Sequence, residues 1–256
     1  MRRLAITNQK GGSAKTTTAV NLAAALAEKG RSVLVIDLDP QANSSSWLGA
    51  GNAEAGAYEL LTQSGAVGPL VRPTTVDSVA IIPANASLNG AERSLAREVG
   101  AETTLRRRLL GLNGVRCDYL LIDTPPTLGL LTLNALAAAD ELIVPVEAHV
   151  LALAGVAQLF ETVRMVNERL NPNLTIAGIV ACRVDNRTRH ASEVAQSLRD
   201  AFGDQVFETE IRENIRLAEA PSFKQPITRY DSRSSGAADY RALASEVLRQ
   251  EERRAA

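Results

Sequence analysis

The side chains with the greatest chemical capacity lie together near the start of the chain, in Lys10-Gly11-Gly12-Ser13-Ala14-Lys15-Thr16-Thr17. Glycines let backbone N–H groups approach an anion, an ammonium group neutralises phosphate oxygens, and a hydroxyl at a helix start is placed to ligate Mg²⁺. Such a loop needs a strand before it and a helix after it. The sequence offers an apolar strand over Leu4–Asn8 and a helix over Lys15–Glu28. In that context the loop predicts a phosphate cradle, with Lys15 against β- and γ-phosphates and Thr16 on the metal. The plainer alternative is a tight turn closed by a helix cap.

Two further strand ends carry carboxylates, Val35-Ile36-Asp37-Leu38-Asp39-Pro40-Gln41 and Leu120-Leu121-Ile122-Asp123-Thr124-Pro125-Pro126. An apolar strand that ends in Asp delivers a carboxylate to the carboxyl edge of the sheet, where open α/β folds bind their ligands. Asp123 there suits holding Mg²⁺ through a water. Asp37 is expected to support loop or metal geometry. One strand-end Asp alone could equally cap a helix. Three elements agreeing point to a metal–nucleotide site.

Those elements imply an architecture. Apolar strand candidates at Leu4–Asn8, Ser32–Asp37, Val79–Pro83, Tyr119–Asp123, Glu141–Val146 and Thr175–Cys182 alternate with helical stretches. The helices are predicted at Lys15–Glu28, Ser87–Glu98, Thr103–Leu112, Leu131–Ala139, Leu151–Leu170, Ala191–Phe202 and Ala237–Glu252. Strands that are nearly continuous in Leu, Ile and Val are covered on both faces. The predicted fold is α/β, a doubly wound, mostly parallel sheet flanked by helices, with residues 1–256 as a single domain. Gly49–Thr75, with Pro69 and Pro73, reads as a loop cluster.

Composition narrows the class. With 45% apolar and 22% charged residues the chain is an ordinary globular one, not collagen-like, coiled-coil or disordered. Cys117 and Cys182 have no CxxC spacing, and His149 and His190 have no ligand-spaced partner, so neither a disulfide scaffold nor a zinc module is expected. The 28 basic and 29 acidic side chains leave a formal charge of −1, so any affinity for nucleic acid must come from a local patch. The short apolar stretch after Met1-Arg2-Arg3 is not a signal peptide, and no later run approaches ~18 apolar residues, so a cytoplasmic protein is expected.

The loop departs from G-x-x-x-x-G-K-T, since Gln9 and Ala14 stand at its glycine positions, and fits K-G-G-x-x-K-T with an additional Lys10. It resembles the deviant Walker A loop of the ParA/MinD group of P-loop ATPases. The resemblance implies ATP and Mg²⁺ as ligands, bound through Lys10, Gly11, Gly12, Ser13, Ala14, Lys15, Thr16 and Thr17. It also implies a homodimer closed over ATP, in which Lys10 reaches the other protomer's phosphates much as an arginine finger does. Asp39 falls where the group orients the attacking water near the metal, and Thr124 to Gly129 falls where it carries switch II. Ala14 stands where the group has Gly; if that position needs positive φ, its Cβ costs roughly 1–2 kcal/mol.

Asp37-Leu38-Asp39-Pro40-Gln41-Ala42-Asn43, Leu131-Thr132-Leu133-Asn134-Ala135-Leu136 and Asn214-Ile215-Arg216-Leu217-Ala218-Glu219-Ala220-Pro221-Ser222 resemble the small ParA/Soj branch in particular. That branch implies Arg212 and Asn214 near the adenine. It also implies ATP-dependent, non-specific binding of double-stranded DNA through Arg187, Arg189 and Arg216, a ParB-type centromere-binding partner, a nucleoid location, and segregation of a chromosome or plasmid. Surface ion pairs are the plain alternative for those arginines. Rival readings are a cargo-positioning ATPase of the same fold, a MinD-like membrane-cycling regulator, and a nitrogenase-reductase-like electron carrier. The last would need a cysteine soon after Asp123, where there is none. A membrane cycle would need a basic amphipathic end; the stripe of Tyr240, Leu243, Ala244, Val247 and Leu248 reads as core, and Gln250 to Arg254 is mixed in sign. Arg106-Arg107-Arg108 reads as a solvated helix face, and Trp47 either packs or meets a partner.

Overall fold

The computed structural model describes residues 1–51, 53–112, 115–148, 152–185 and 189–255. Among these residues eight strands, β1 (Arg2–Ile6), β2 (Val33–Asp37), β3 (Arg72–Pro73), β4 (Val79–Ile82), β5 (Tyr119–Asp123), β6 (Glu141–Glu147), β7 (Thr175–Val184) and β8 (Ile211–Arg212), form one sheet. Their order is β3-β4-β2-β5-β1-β6-β7-β8, parallel throughout except for antiparallel β3 at one edge. The helices are α1 (Lys15–Glu28), α2 (Asn43–Trp47), α3 (Ala57–Thr62), α4 (Ala91–Leu95), α5 (Thr104–Leu109), α6 (Leu130–Ala138), α7 (Ala152–Arg169), α8 (Arg189–Phe202), α9 (Ile215–Glu219), α10 (Ile227–Tyr230) and α11 (Ser235–Ala255).

Successive strand residues point to opposite faces, so each face of the sheet gathers its own core. Tyr119 and Leu121 of β5 join Leu4, Ile6, Val33 and Val35 under α1 and α11. Leu120 and Ile122 join Ala5, Leu34 and Ile36 under α3 to α8. Tyr240, Leu243, Ala244 and Val247 of α11 are fully buried, so the C-terminal stripe is core, and among the described residues no helix is long and apolar enough to cross a membrane.

The register places the chemistry. Asp37 and Ile6 both stand level with Asp123, which ends the strand between theirs. The loop that follows β1 therefore emerges beside the carboxylates that end β2 and β5. Parallel pairing makes this possible, because it brings all three carboxyl ends to one edge.

Several boundaries differ from the sequence expectation. β1 spans Arg2–Ile6 rather than Leu4–Asn8: Arg2 and Arg3 already pair with Tyr119 and Leu120 of β5, and past Ile6 the side chain of Asn8 donates from Nδ2 to Pro145 O at 2.8 Å. The 49–75 stretch is more than loop, since it contains α3 and edge strand β3, where Pro73 is tolerated for want of a further neighbour. Ser87–Glu98 is a 3₁₀ turn over Ala86–Gly90 followed by the short α4. The three arginines of α5 hold carbonyls: Arg106 donates to Leu170 O, Arg107 to Gly100 O and Arg108 to Leu60 O. Trp47 is buried and donates from Nε1 to Gln225 O at 2.6 Å.

One side chain ties α1 to α10. Asn21, fully buried, donates to Thr17 O at 2.7 Å and accepts from Ile227 N at 2.7 Å. Asn21→Ala strands that amide and is expected to lower stability by about 1–3 kcal/mol, read from the urea midpoint; an unchanged midpoint would show the tie to be dispensable.

Candidate nucleotide-binding site

The loop after β1 turns through two left-handed residues, Gly12 at φ 76° and Ala14 at φ 67°, ψ 25°. Position 14 therefore does need positive φ, and its methyl carries the strain expected of a non-glycine there. The turn starts α1 at Lys15 with no side-chain cap, so its first-turn N–H groups are left for a ligand or solvent. A Cβ on Gly11 or Gly12 would meet nothing within 4 Å, so the cradle is open.

Lys15 is 7% exposed, and its Nζ donates to Lys10 O at 3.2 Å. Burial pulls its pKa down, while the charges of Asp123 and Asp39 oppose that shift. Asp123 is fully buried and accepts through Oδ2 from Thr16 Oγ1 at 2.8 Å and Ser44 Oγ at 2.7 Å. Burial pushes its pKa up against these hydroxyl donors. Asp37 accepts from Ser45 N and Ser45 Oγ through Oδ2 and from Asp39 N through Oδ1, so it braces the turn into α2. Its pKa is raised first by burial and then by the charge of Asp123. Asp39 accepts from Gln41 N at 2.9 Å, which fixes its rotamer.

Among the described residues, the buried side-chain polar atoms without a hydrogen-bond partner are Gln9 Nε2, Ser13 Oγ and Asp123 Oδ1. All belong to the loop or to the carboxylate bonded to Thr16. Buried polar groups are nearly always satisfied, so donors and an acceptor left open together mark a ligand site. Two donors suit an anion. A buried carboxylate oxygen beside a threonine hydroxyl suits a hard cation such as Mg²⁺, which takes few protein ligands and keeps phosphate oxygens and water.

A cavity of about 350 Å³ lies against the loop, Asp39, Gln41 and Pro126. A second, of about 210 Å³, shares Ala14, Thr17 and Arg183 with it and continues to Tyr240, Arg212 and Asn214. The first is lined mostly by the loop and Asp39, and the second is lined by a more apolar set that includes Ile211, Leu217 and Tyr240. Arg212 and Asn214 line this second cavity, with their polar groups already engaged. Arg212 pairs with Asp239 at 2.6 Å; Asn214 caps α9 through Leu217 N and donates to Ser235 Oγ.

Of the arginines proposed for DNA, Arg187 lies outside the described residues, as does the side chain of Arg189. Arg216 is exposed and donates to Glu219 Oε2 at 3.0 Å. Sequence reasoning missed Ser44, Ser45, Glu147 and Arg183. Ser44 and Ser45 read only as polar loop residues, although a hydroxyl soon after a strand-end carboxylate is a usable signal. Glu147 ends β6 as Asp123 ends β5, whereas Arg183 lies inside β7 and carries no local signal.

A family model described as an AAA domain matches residues 1–176. The chromosome-partitioning ATPase Soj of Thermus thermophilus is 49% identical, over 97% of this chain and 96% of that protein. The sporulation initiation inhibitor protein Soj of Bacillus subtilis is 45% identical, over 95% of this chain and 97% of that one. The chain belongs to the ParA/Soj family of partition ATPases. A crystal structure from Mycobacterium smegmatis, described as cobyrinic acid a,c-diamide synthase with a bound ATP analogue and magnesium, superposes with a TM-score of 0.86 at 35% identity, over 98% of this chain and 96% of that one. The ParA/Soj chain is closer in sequence to the two Soj proteins than to that structure.

Ala14→Gly is expected to raise stability by about 0.5–1 kcal/mol, the left-handed strain relieved less the added freedom of the unfolded chain. Chemical denaturation checks it, and a loss of stability would contradict the strain assigned to Ala14.

Proposed function

We propose that this ParA/Soj-family chain, acting as one ATPase domain, binds Mg²⁺-ATP, dimerises over it, coats DNA without sequence preference, and leaves DNA when hydrolysis is stimulated. The observation that carries the nucleotide reading is the buried Lys15 facing the charge of Asp123 at an uncapped helix start, with polar atoms of Gln9, Ser13 and Asp123 left open.

In this reading Gly11 to Thr17 wrap the phosphates with backbone N–H groups, and Lys15 neutralises the β- and γ-phosphates. Thr16 and Asp123, with Asp39 nearby, would hold Mg²⁺, which supplies charge neutralisation on the transferring phosphoryl group. Asp39, its rotamer fixed by Gln41 N, orients the attacking water toward the γ-phosphate. Lys10 of one protomer adds a cation to the other protomer's phosphates, which couples turnover to dimerisation. The second cavity, beside Ala14 and Thr17, takes the nucleoside, with Arg212 and Asn214 in its lining.

For DNA, Arg216 exchanges its exposed pair with Glu219 for a backbone phosphate at low cost. Arg187 and Arg189 are proposed to extend the patch, and dimerisation doubles it. The activator is a ParB-type protein bound to a centromere-like site, the output is segregation of a chromosome or plasmid, and the protein is cytoplasmic and nucleoid-associated. The names of the Soj relatives support this reading over cargo positioning or membrane cycling.

The deciding experiment is DNA binding with ATP, ADP and no nucleotide across a salt series. Binding confined to the ATP state, with a steep salt slope, is expected; equal binding in all three states would overturn the switch. Lys15→Ala is expected to abolish nucleotide binding in a direct binding assay. Asp39→Ala is expected to retain ATP and accumulate on DNA, and wild-type turnover by that variant would remove Asp39 from the chemistry. Arg216→Glu is expected to weaken DNA binding with ATP affinity intact; unchanged binding at low salt would take Arg216 out of the patch.

A further inference from the structure

The mouth of the loop carries an ion cluster that this chemistry leaves unexplained. Glu147, the last residue of β6, accepts from Lys10 Nζ through Oε2 at 3.2 Å and from Arg183 Nη1 through Oε1 at 3.2 Å. The two cations come from different elements, Lys10 from the phosphate loop and Arg183 from β7, where Glu147 is paired with Cys182. Arg183 has φ 55°, a left-handed residue inside a strand, and the register of β7 with β8 shifts between Cys182 and Val184 around it. Strain of that kind at a non-glycine residue persists where the surroundings hold it, and it clusters at binding sites. Arg183 also lines both cavities.

Each oxygen of the Glu147 carboxylate is thus engaged by a cation that phosphate would also attract. Burial alone would raise its pKa, but the hydrogen bonds from Lys10 and Arg183 outweigh burial and hold it below the ordinary glutamate value, so it stays charged at neutral pH. We infer that Glu147 is a counter-ion clamp: it holds Lys10 and Arg183 together across the mouth of the site, and a nucleoside triphosphate has to take both cations from it before the site closes. This rests on the nucleotide reading above and adds a threshold to it. The carboxylate competes with phosphate oxygens for the same two groups, so it sets the triphosphate concentration at which Lys10 is released toward a second protomer. Arg183, once released, stays in the lining of both cavities as a nucleotide contact.

The test is equilibrium binding of Mg²⁺-AMPPNP to the full chain, with thermal melts to confirm that each variant is folded. Glu147→Gln removes the charge at constant size, while Glu147→Asp keeps the charge and shortens its reach by one methylene. A clamp predicts that both variants bind at a lower triphosphate concentration than the unaltered chain, by roughly two- to fivefold, the range for a partly exposed ion pair. Simple repulsion between carboxylate and phosphate predicts a gain for Gln alone. In a background carrying Lys10→Gln and Arg183→Gln, the clamp has nothing to hold, and Glu147→Gln is expected to add no further gain. An Asp variant with unaltered affinity, a Gln gain that persists without both cations, or no change in either variant would overturn the clamp while leaving the nucleotide site standing. Failure of the unaltered chain to bind AMPPNP would instead remove the site itself, and the clamp with it.

Discussion

Charge taken out of water and left incompletely paired at the carboxyl edge of the sheet is the constraint on which the rest of this structure depends. A lysine ammonium and the carboxylates of Asp37, Asp39 and Asp123 are buried there, and one oxygen of Asp123 has no hydrogen-bond partner among the described residues. A buried polar group left open costs roughly 1–3 kcal/mol, and a charged one costs more. An isolated fold would be more stable with apolar side chains in these places. Retaining them makes sense when a ligand of matching charge completes the set, and a magnesium–triphosphate complex brings both signs at once.

The scaffold follows from that requirement. Parallel strands β1, β2 and β5 bring three carboxyl ends to one edge, and the register sets Asp37 and Asp123 level. Covering the sheet on both faces keeps those strands rigid, while the loop turns through a left-handed Gly12 and accepts strain at Ala14 to start α1 uncapped. Ser44 and Ser45 then divide the carboxylates between two tasks. Ser45 satisfies Asp37 and makes it a brace, whereas Ser44 and Thr16 satisfy only one oxygen of Asp123 and leave the other available.

Much of this was legible in the sequence, because the signals are local. A glycine-rich loop between a strand and a helix, and apolar strands ending in Asp, need no knowledge of distant partners, so the meeting of Lys15 and Thr16 with Asp123 at one sheet edge was legible. The parallel sheet was legible from its uninterrupted apolar strands. What escaped depends on tertiary placement. Two-residue strands such as β3 and β8 carry no periodicity, and the arginines of α5, of which Arg106 and Arg107 are exposed as a solvated face would be, also reach carbonyls of Leu60, Gly100 and Leu170 that no local pattern shows. Glu147 and Arg183 acquire meaning only when β6 and β7 are set beside the loop that holds Lys10.

The family and the site geometry bear on different parts of one proposed scheme: the relatives are named partition ATPases, and the open polar atoms mark a candidate ligand site at the loop. The central claim is that the unpaired buried charge is completed by metal and phosphate together. Isothermal titration of the full chain with AMPPNP, once with Mg²⁺ and once with EDTA, tests it most directly. One site per chain in the presence of Mg²⁺, with affinity at least tenfold weaker in EDTA, about 1.4 kcal/mol, is the predicted result. Equal affinity in the two titrations, or no binding in either, would contradict it.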